Sequence, residues 1–231
     1  MGTLMLHCGS GTADRERLYS VATPPSTKTY TAVSFGKLRD MLVAAAKERR
    51  LLVCDERWGI SRGDNRAFGV VTFYDDSRPD GMAQDTTLGM AVGLRASHDQ
   101  SLPIGLCAGG HLFVCDNLMF TAEGLVLMRK HTRHVMKDLG DMIERTLDVL
   151  LPTYTAIEDR RDMMIGTDAT DDDGLAALGQ MYGHRVITNR QFTIAVRHWL
   201  EPPDAFVART VWSLYNSVTE GLKSGEAGTL L

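Results

Sequence analysis

The sequence predicts an α+β fold: an N-terminal helix, an antiparallel β-meander of four to five strands, a long helix and a helical C-terminal subdomain. Three observations support this prediction. Apolar residues recur at helical spacing in residues 34–50 and 133–152. Between these two segments lie short runs rich in Val, Phe, Tyr and Leu, separated by turn residues. Glycines and one Pro-Pro pair divide the last third of the chain into further helical segments.

The first helix is predicted over residues 34–50, after a polar, turn-rich N-terminal stretch. Residues 1–33 contain Pro24-Pro25 and a cluster of Ser and Thr, and they are predicted to form an arm or a loosely packed loop. Ser34 suits an N-cap, and the basic residues near position 50 suit the negative end of the helix dipole. The apolar face has helical spacing and consists of Phe35, Leu38, Leu42 and Ala45.

The period changes to that of strands from about residue 51. The runs LLVCDERWGI, AFGVVTFYDD, TLGMAVGLRA, LPIGLCA and HLFVCDNLMF are typical of an antiparallel meander. The strongest hairpin signal joins residues 102–108 to residues 111–116 through Gly109-Gly110, because a Gly-Gly loop accepts the positive φ angles of the primed turns.

The helical period returns at residue 133 and is predicted to end at Pro152, since proline disrupts a helix interior. A shorter acidic helix is expected over residues 154–165, and the stretch GTDATDDDG is expected to be a charged solvent loop. Three more helices are predicted in GLAALGQMYG, TNRQFTIAVRHWL and FVARTVWSLYNSVTEGL. The domain organisation predicted from these elements has three parts: an arm at 1–33, an α+β core at 34–151, and a helical subdomain at 152–231 packed on that core.

Composition excludes several functional classes. The chain has 231 residues, 44% of them hydrophobic and 23% charged, with a net charge of -4, which is typical of a soluble globular protein. No run approaches the roughly 18 apolar residues of a membrane span, and the first residues lack the basic-then-apolar order of a signal peptide. A cytoplasmic location without membrane contact is therefore expected. For a phage-encoded chain this would be the cytoplasm of the host cell. The four cysteines form no CxxC pair. Because the chain is not strongly basic, any nucleic-acid binding has to use a local patch.

Possible metal ligands crowd into 37 positions, but their spacing matches no known metal motif. This group comprises His98, Asp99, His111, Cys115, Asp116, His131 and His134. Cys115 and Asp116 are adjacent, so in a strand they point to opposite faces. The sequence therefore predicts no metal and no cofactor. A metal-dependent hydrolase or nuclease remains the alternative, and its residues would be His98, Asp99, His111, Asp116 and His131.

Nucleophilic catalysis is disfavoured as well, so a non-enzymatic role is preferred. Ser97, His98 and Asp99 are consecutive and cannot form a triad, because the base must reach the nucleophile across space. Asp99 and Ser101 suit a local Asx-type turn instead. The cysteines within LPIGLCA and LFVCD are expected to be buried, and a buried thiol is unreactive.

The strongest binding candidate is the basic segment RKHTRHVMK at residues 129–137. It places Arg129, Lys130, Arg133 and Lys137 at the start of the long helix, where positive charge opposes the helix dipole. An anion such as a phosphodiester backbone would account for these charges. The alternative is a solvated basic face paired with nearby acidic residues. Two secondary candidates, on a predicted hairpin tip, are Arg62 and Arg66.

Two stretches carry a resemblance to a known family. SHDQSLPIGLCAGGHLFVCDNLMF followed by RKHT resembles the phage/plasmid-like proteins grouped as the domain of unknown function DUF932, with patterns N-S-H-D, G-x-x-x-F-V-C-D-N-x-x-F and R-x-H-T. TVWSLYNSVTE resembles that family's C-terminal W-x-x-Y-N-x-x-T-E. Ala96 stands where the family pattern has Asn. The resemblance implies a phage or mobile-element setting and carries no established activity.

The order of elements is also similar in outline to phage single-strand annealing and recombination-mediator proteins, which assemble as rings. That similarity implies a homo-oligomer that binds single-stranded nucleic acid in recombination or replication, with the basic segment as the contact. A host-defence inhibitor or a structural assembly protein remains a further alternative. A possible polar pocket beside the basic segment consists of His98, Asp99, Asp116, Asn117 and His131. The other interpretation places these residues at turns and strand ends.

Overall fold

The computed structural model describes residues 10–61, 63–77, 90–109, 126–203 and 207–223. The helices in this part of the chain are α1 (Arg15–Ser20), α2 (Phe35–Glu48), α3 (Val135–Ile165), α4 (Asp171–Gly183), α5 (Asn189–Leu200) and α6 (Val211–Lys223). The strands are β1 (Ser10–Ala13), β2 (Leu51–Ser61), β3 (Arg66–Asp75), β4 (Met90–Ser97), β5 (Ile104–Gly109) and β6 (Val126–Arg129). The predicted α+β class is confirmed. The chain divides into two compact units, residues 1–157 and 158–231.

The strands of the first unit form one antiparallel sheet in the order β1-β2-β3-β4-β5-β6. Arg66 pairs with Ser97, and Ile104 pairs with Arg129. The starts of β3 and β5 therefore lie at the same end of the sheet as the last residues of β4 and β6. We refer to this edge as the Ser97 end of the sheet.

The meander is longer than predicted because the segment before residue 34 is more than an arm. β1 pairs with β2, and Asp14 caps α1 by accepting a hydrogen bond from the Arg17 amide at 2.7 Å. Side chains of this segment are also buried, namely Leu18, Val21, Tyr30 and Val33. The turn-rich sequence of this segment does not predict these contacts. β1 pairs with a strand about 50 residues away and has no periodic pattern of its own.

The main core lies on one face of the sheet, against α2 and α3. Ser34 caps α2 as predicted, with its hydroxyl accepting from the Lys37 amide at 3.5 Å. Leu42 of α2, Leu139 of α3 and Val92 of β4 are among the fully buried side chains of this core. Burying side chains of this size contributes about 1.5–3 kcal/mol each.

The predicted end of the long helix at Pro152 is wrong. α3 runs without a break from Val135 to Ile165 with Pro152 inside it, so the separate helix expected at 154–165 is its last part. Pro152 is exposed, whereas Leu150 and Tyr154 on either side are buried. An interior proline costs about 3 kcal/mol. Burial of the two flanking side chains offsets a cost of that size.

The prediction of a solvent loop over GTDATDDDG is wrong for its last four residues, which belong to α4, while residues 166–170 precede the helix. Thr170 caps α4, its hydroxyl accepts from the Asp173 amide, and the Asp173 carboxylate accepts from the Thr170 amide. The three consecutive aspartates form the first turn of α4, where negative charge is favourable against the helix dipole. Hydrogen bonds from Thr170 lower the pKa of Asp173. A small core of the second unit contains Leu178 and Trp199.

Two remaining predictions concern the hairpin and the membrane. Residues 111–116, the expected second strand of the hairpin, lie outside the described residues, and Gly109 is the last residue of β5, opposite Ala91. Within the described ranges, no helix combines the length and the apolar character needed to cross a membrane.

Candidate functional site

His98 follows β4 directly and turns its imidazole into the protein at the Ser97 end of the sheet. Its ring stacks on Phe35, with centroids 4.0 Å apart, and only 8% of the residue is exposed. Nε2 lies 3.0 Å from the carbonyl oxygen of Val33. A carbonyl can only accept, so Nε2 carries a proton and donates.

His131 follows β6 and approaches the same N-terminal segment. Tyr30 and Thr132 form an antiparallel bridge, and the Thr31 amide donates to the His131 carbonyl at 3.3 Å. The His131 ring lies 5.5 Å from the ring of Tyr30, whose hydroxyl donates to the carbonyl of His98 at 3.0 Å. Tyr30 therefore connects the two histidines, and we call Tyr30, His98 and His131 the histidine cluster.

The protonation of His131 follows from its surroundings. Nδ1 lies 3.3 Å from the carbonyl oxygen of Thr31, so it donates and Nε2 is the bare acceptor. His98 Nδ1, His131 Nε2 and the Thr132 hydroxyl oxygen are buried and find no hydrogen-bond partner among the described residues. Burial lowers the pKa of His131, and the nearby charge of His98 lowers it further, against the opposing effect of the bond to Thr31. Burial and the charge of His98 thus favour the neutral form of His131.

Asp99 is held in a local turn beside the cluster, where burial and then the charge of Asp99 raise the pKa of Tyr30. Its carboxylate accepts from the Ser101 amide at 2.9 Å and from the Ser101 hydroxyl, as the predicted Asx-type turn requires. It also pairs with Arg66 at 3.4 Å. Burial alone would raise the pKa of Asp99, but the hydrogen bonds from Ser101 and the charge of Arg66 bring it below its usual value.

The basic candidates lie at the Ser97 end and on the first turn of α3. Lys130, Arg133 and Lys137 are exposed, and so is Arg129, which forms an ion pair with Asp138 at 2.6 Å. Arg133 donates to the imidazole of His134 at 2.8 Å. Arg66 begins β3, three inter-strand spacings from β6, which is about 14 Å.

The structure thus brings together part of the predicted pocket. His98 and His131 meet through Tyr30, while Asp99 is held by Arg66 and Ser101. Asp116, Asn117 and Arg62, together with His111 and Cys115 of the metal alternative, lie outside the described residues. Among the residues that are described, no three His, Cys, Asp or Glu side chains are grouped so that they could hold a metal ion.

A family comparison covers almost the whole chain. The model of the family described as a domain of unknown function (DUF932) matches residues 27–227. The chain belongs to the DUF932 family. The membership indicated by the sequence motifs is therefore confirmed. The match begins just before Tyr30, so all three residues of the histidine cluster lie within the DUF932 domain. No curated protein and no solved structure matches this DUF932 chain.

The residues that sequence reasoning missed in this DUF932 chain are those that complete the histidine cluster. Tyr30, Thr31 and Val33 lie in the predicted arm, and Phe35 was assigned only to the apolar face of α2. A large aromatic within the polar run TKTYTAV was the available signal, since buried tyrosines usually place their hydroxyl on a partner. The identity of that partner, 68 residues away, has no signature in the sequence.

Proposed function

We propose that the chain binds the phosphate backbone of single-stranded nucleic acid at the start of α3. The observation that supports this proposal is the exposure of Lys130, Arg133 and Lys137 at that point, with Arg129 beside them. Positive charge at a helix start is unfavourable in the isolated protein, because it adds to the positive end of the helix dipole. When a phosphate binds there, the helix dipole and the basic side chains both attract it, so the same arrangement becomes favourable.

A single strand suits this surface better than a duplex. The chain as a whole carries a net charge of -4, so a ligand that extends beyond the basic segment meets a negative protein surface. A flexible single strand can place two or three phosphates on the basic segment and bend away from the rest. Binding of this kind has little sequence preference and weakens steeply with salt.

The biological part of the proposal is an annealing or binding role in recombination or replication of a phage or mobile element, carried out by a homo-oligomer. It draws on the family resemblance and on the order of helix, meander and long helix. In such an assembly, Arg66 at the Ser97 end would continue the phosphate path from β6 toward β3. Arg62 belongs to the same proposal as a neighbour of Arg66 in the sequence.

The test is a titration of a fluorescently labelled single-stranded oligonucleotide, followed by anisotropy over a series of salt concentrations. The wild-type protein should bind at low salt. The triple variant Lys130→Ala, Arg133→Ala, Lys137→Ala should bind more weakly, with a salt slope shallower by about 2 because each phosphate contact on a single strand contributes about 0.7.

A matched control removes three other exposed lysines, at positions Lys28, Lys37 and Lys47. This variant has the same net charge as the first one, so it should keep the wild-type salt slope if the start of α3 is the contact. No binding by the wild type at low salt, or an equal loss in both triple variants, would overturn the proposal.

A further inference from the structure

Arg129 differs from the other basic residues at the start of α3 because its guanidinium already forms an ion pair with a carboxylate. Its Nε and Nη2 atoms both donate to the same oxygen of Asp138, at 2.7 and 2.6 Å. The Arg129 side chain is 44% exposed and that of Asp138 is 30% exposed, so both groups reach solvent. The pair connects the end of β6 to the first turn of α3.

The neighbouring lysines differ from Arg129 within the described part of the chain. Lys130 and Lys137 are exposed and form no ion pair with any other described residue. A phosphate chain that binds these lysines releases counterions condensed along the strand. The charge of Arg129 is compensated by Asp138, so its engagement by a phosphate first requires that the carboxylate be displaced.

We propose that Asp138 is an internal competitor for the phosphate at Arg129 and so a residue that sets ligand specificity; this rests on the proposed function above. A carboxylate and a phosphate both accept the paired N–H groups of a guanidinium, and the two anions cannot occupy the same side of it together. An isolated phosphate gains little by replacing Asp138. A nucleic-acid strand is also held by the lysines on either side, so its local concentration at Arg129 is high enough to displace the carboxylate.

The consequence is a preference for a chain of phosphates over a single phosphate. Asp138 lowers the affinity for every anion that uses Arg129, but only a multivalent ligand recovers the loss through its other contacts. Removing the carboxylate should therefore raise the affinity for an oligonucleotide. It should also reduce the ratio of that affinity to the affinity for a mononucleotide.

The experiment compares Asp138→Asn with Asp141→Asn, using a labelled thymidine oligonucleotide and an unlabelled mononucleotide as competitor. Asp141 is exposed on the same helix and forms no ion pair with a described residue, so its variant has the same net charge and serves as the control. Asp138→Asn should raise the affinity about threefold, because an exposed ion pair is weak and only the cost of breaking it is removed. Its salt slope should become steeper by about 0.7, because the displaced Asp138 carboxylate of the wild type takes up a cation and so cancels one counterion that the strand releases.

A double variant, Arg129→Ala with Asp138→Asn, locates the effect. If Asp138 acts through Arg129, this variant should show no gain over Arg129→Ala alone. An equal gain in Asp141→Asn, or a gain that persists without Arg129, would overturn the role of Asp138 while wild-type binding stands. Absence of wild-type binding at low salt is a different result and overturns the proposed function itself.

Discussion

The imidazole of His98 lies parallel to the phenyl ring of Phe35, with 4.0 Å between the ring centroids and 5° between the ring planes. The same imidazole donates to the carbonyl of Val33, two residues before Phe35. One side chain at the end of β4 therefore fixes both the first residue of α2 and the segment that leads into it. The start of α3 is joined to this segment by the bridge between Tyr30 and Thr132.

Replacement of His98 by alanine should lower the free energy of unfolding by about 2–4 kcal/mol, because it leaves a cavity over Phe35 and an unpaired Val33 carbonyl. Urea unfolding followed by circular dichroism measures the change. His134→Ala is the control, since His134 is exposed, and it should change stability by less than about 0.5 kcal/mol. Equal effects of the two substitutions would show that the stacked arrangement adds nothing to stability.

His131 should make the protein less stable in mild acid. Its pKa in the folded state is below the ordinary value of 6.5, owing to burial and to the charge of His98. As the pH falls below 6.5 the unfolded chain takes up a proton before the folded chain does, so stability is complete above 6.5 and declines until the folded pKa is reached.

This pH dependence can be measured as the melting temperature between about pH 5 and pH 8. His131→Asn retains an N–H that can donate to the Thr31 carbonyl but cannot titrate, so the decline below pH 6.5 should be smaller in this variant. His134→Asn should keep the wild-type decline. If His131→Asn follows the wild-type curve at every pH, the cluster does not control acid stability.

The sequence was sufficient for those parts of the fold that depend on local signals. The N-cap at Ser34, the apolar period of α2 and the turn at Asp99 all follow from residues within a few positions of one another. Pro152 was misleading, because its effect on a helix is local while the burial of Leu150 and Tyr154 that outweighs it is tertiary.

The candidate site was only half predictable for the same physical reason. Arg129, Lys130, Arg133 and Lys137 are close in sequence, so their common position at a helix start could be expected. The histidine cluster, in contrast, assembles from three segments around residues 30, 98 and 131. These segments meet because the strands from β3 through β6 pair with one another in sequence order. No short sequence pattern encodes that pairing.

Cys107 should not react with alkylating reagents in the folded protein. It is fully buried in β5, and burial raises its pKa to about 12, so the reactive thiolate is scarce at neutral pH. Iodoacetamide treatment followed by peptide mass spectrometry should leave the Cys107 peptide unmodified in buffer and modify it in urea. Cys54 is exposed and is the internal comparison for access. Rapid labelling of Cys107 in buffer would mean that β5 opens readily to solvent.

Two glycines of α4 should respond to alanine in opposite directions. A Cβ on Gly174 would overlap the indole of Trp199, which is fully buried and donates through Nε1 to the Asp171 carbonyl at 3.3 Å. Gly174→Ala should therefore destabilise the helical second unit by about 1–3 kcal/mol, as overpacking does.

Gly179 is exposed in the same helix, and a Cβ there meets no atom within 4 Å. Gly179→Ala should stabilise the second unit by about 1 kcal/mol, because alanine loses less backbone freedom in a helix than glycine does. Two of the three tryptophans, Trp199 and Trp212, lie in this unit, so thermal unfolding followed by tryptophan fluorescence reports mainly on it. The packing of α4 on Trp199 is contradicted if Gly174→Ala raises the melting temperature as Gly179→Ala does, because the helix would then have room for a methyl group on both faces.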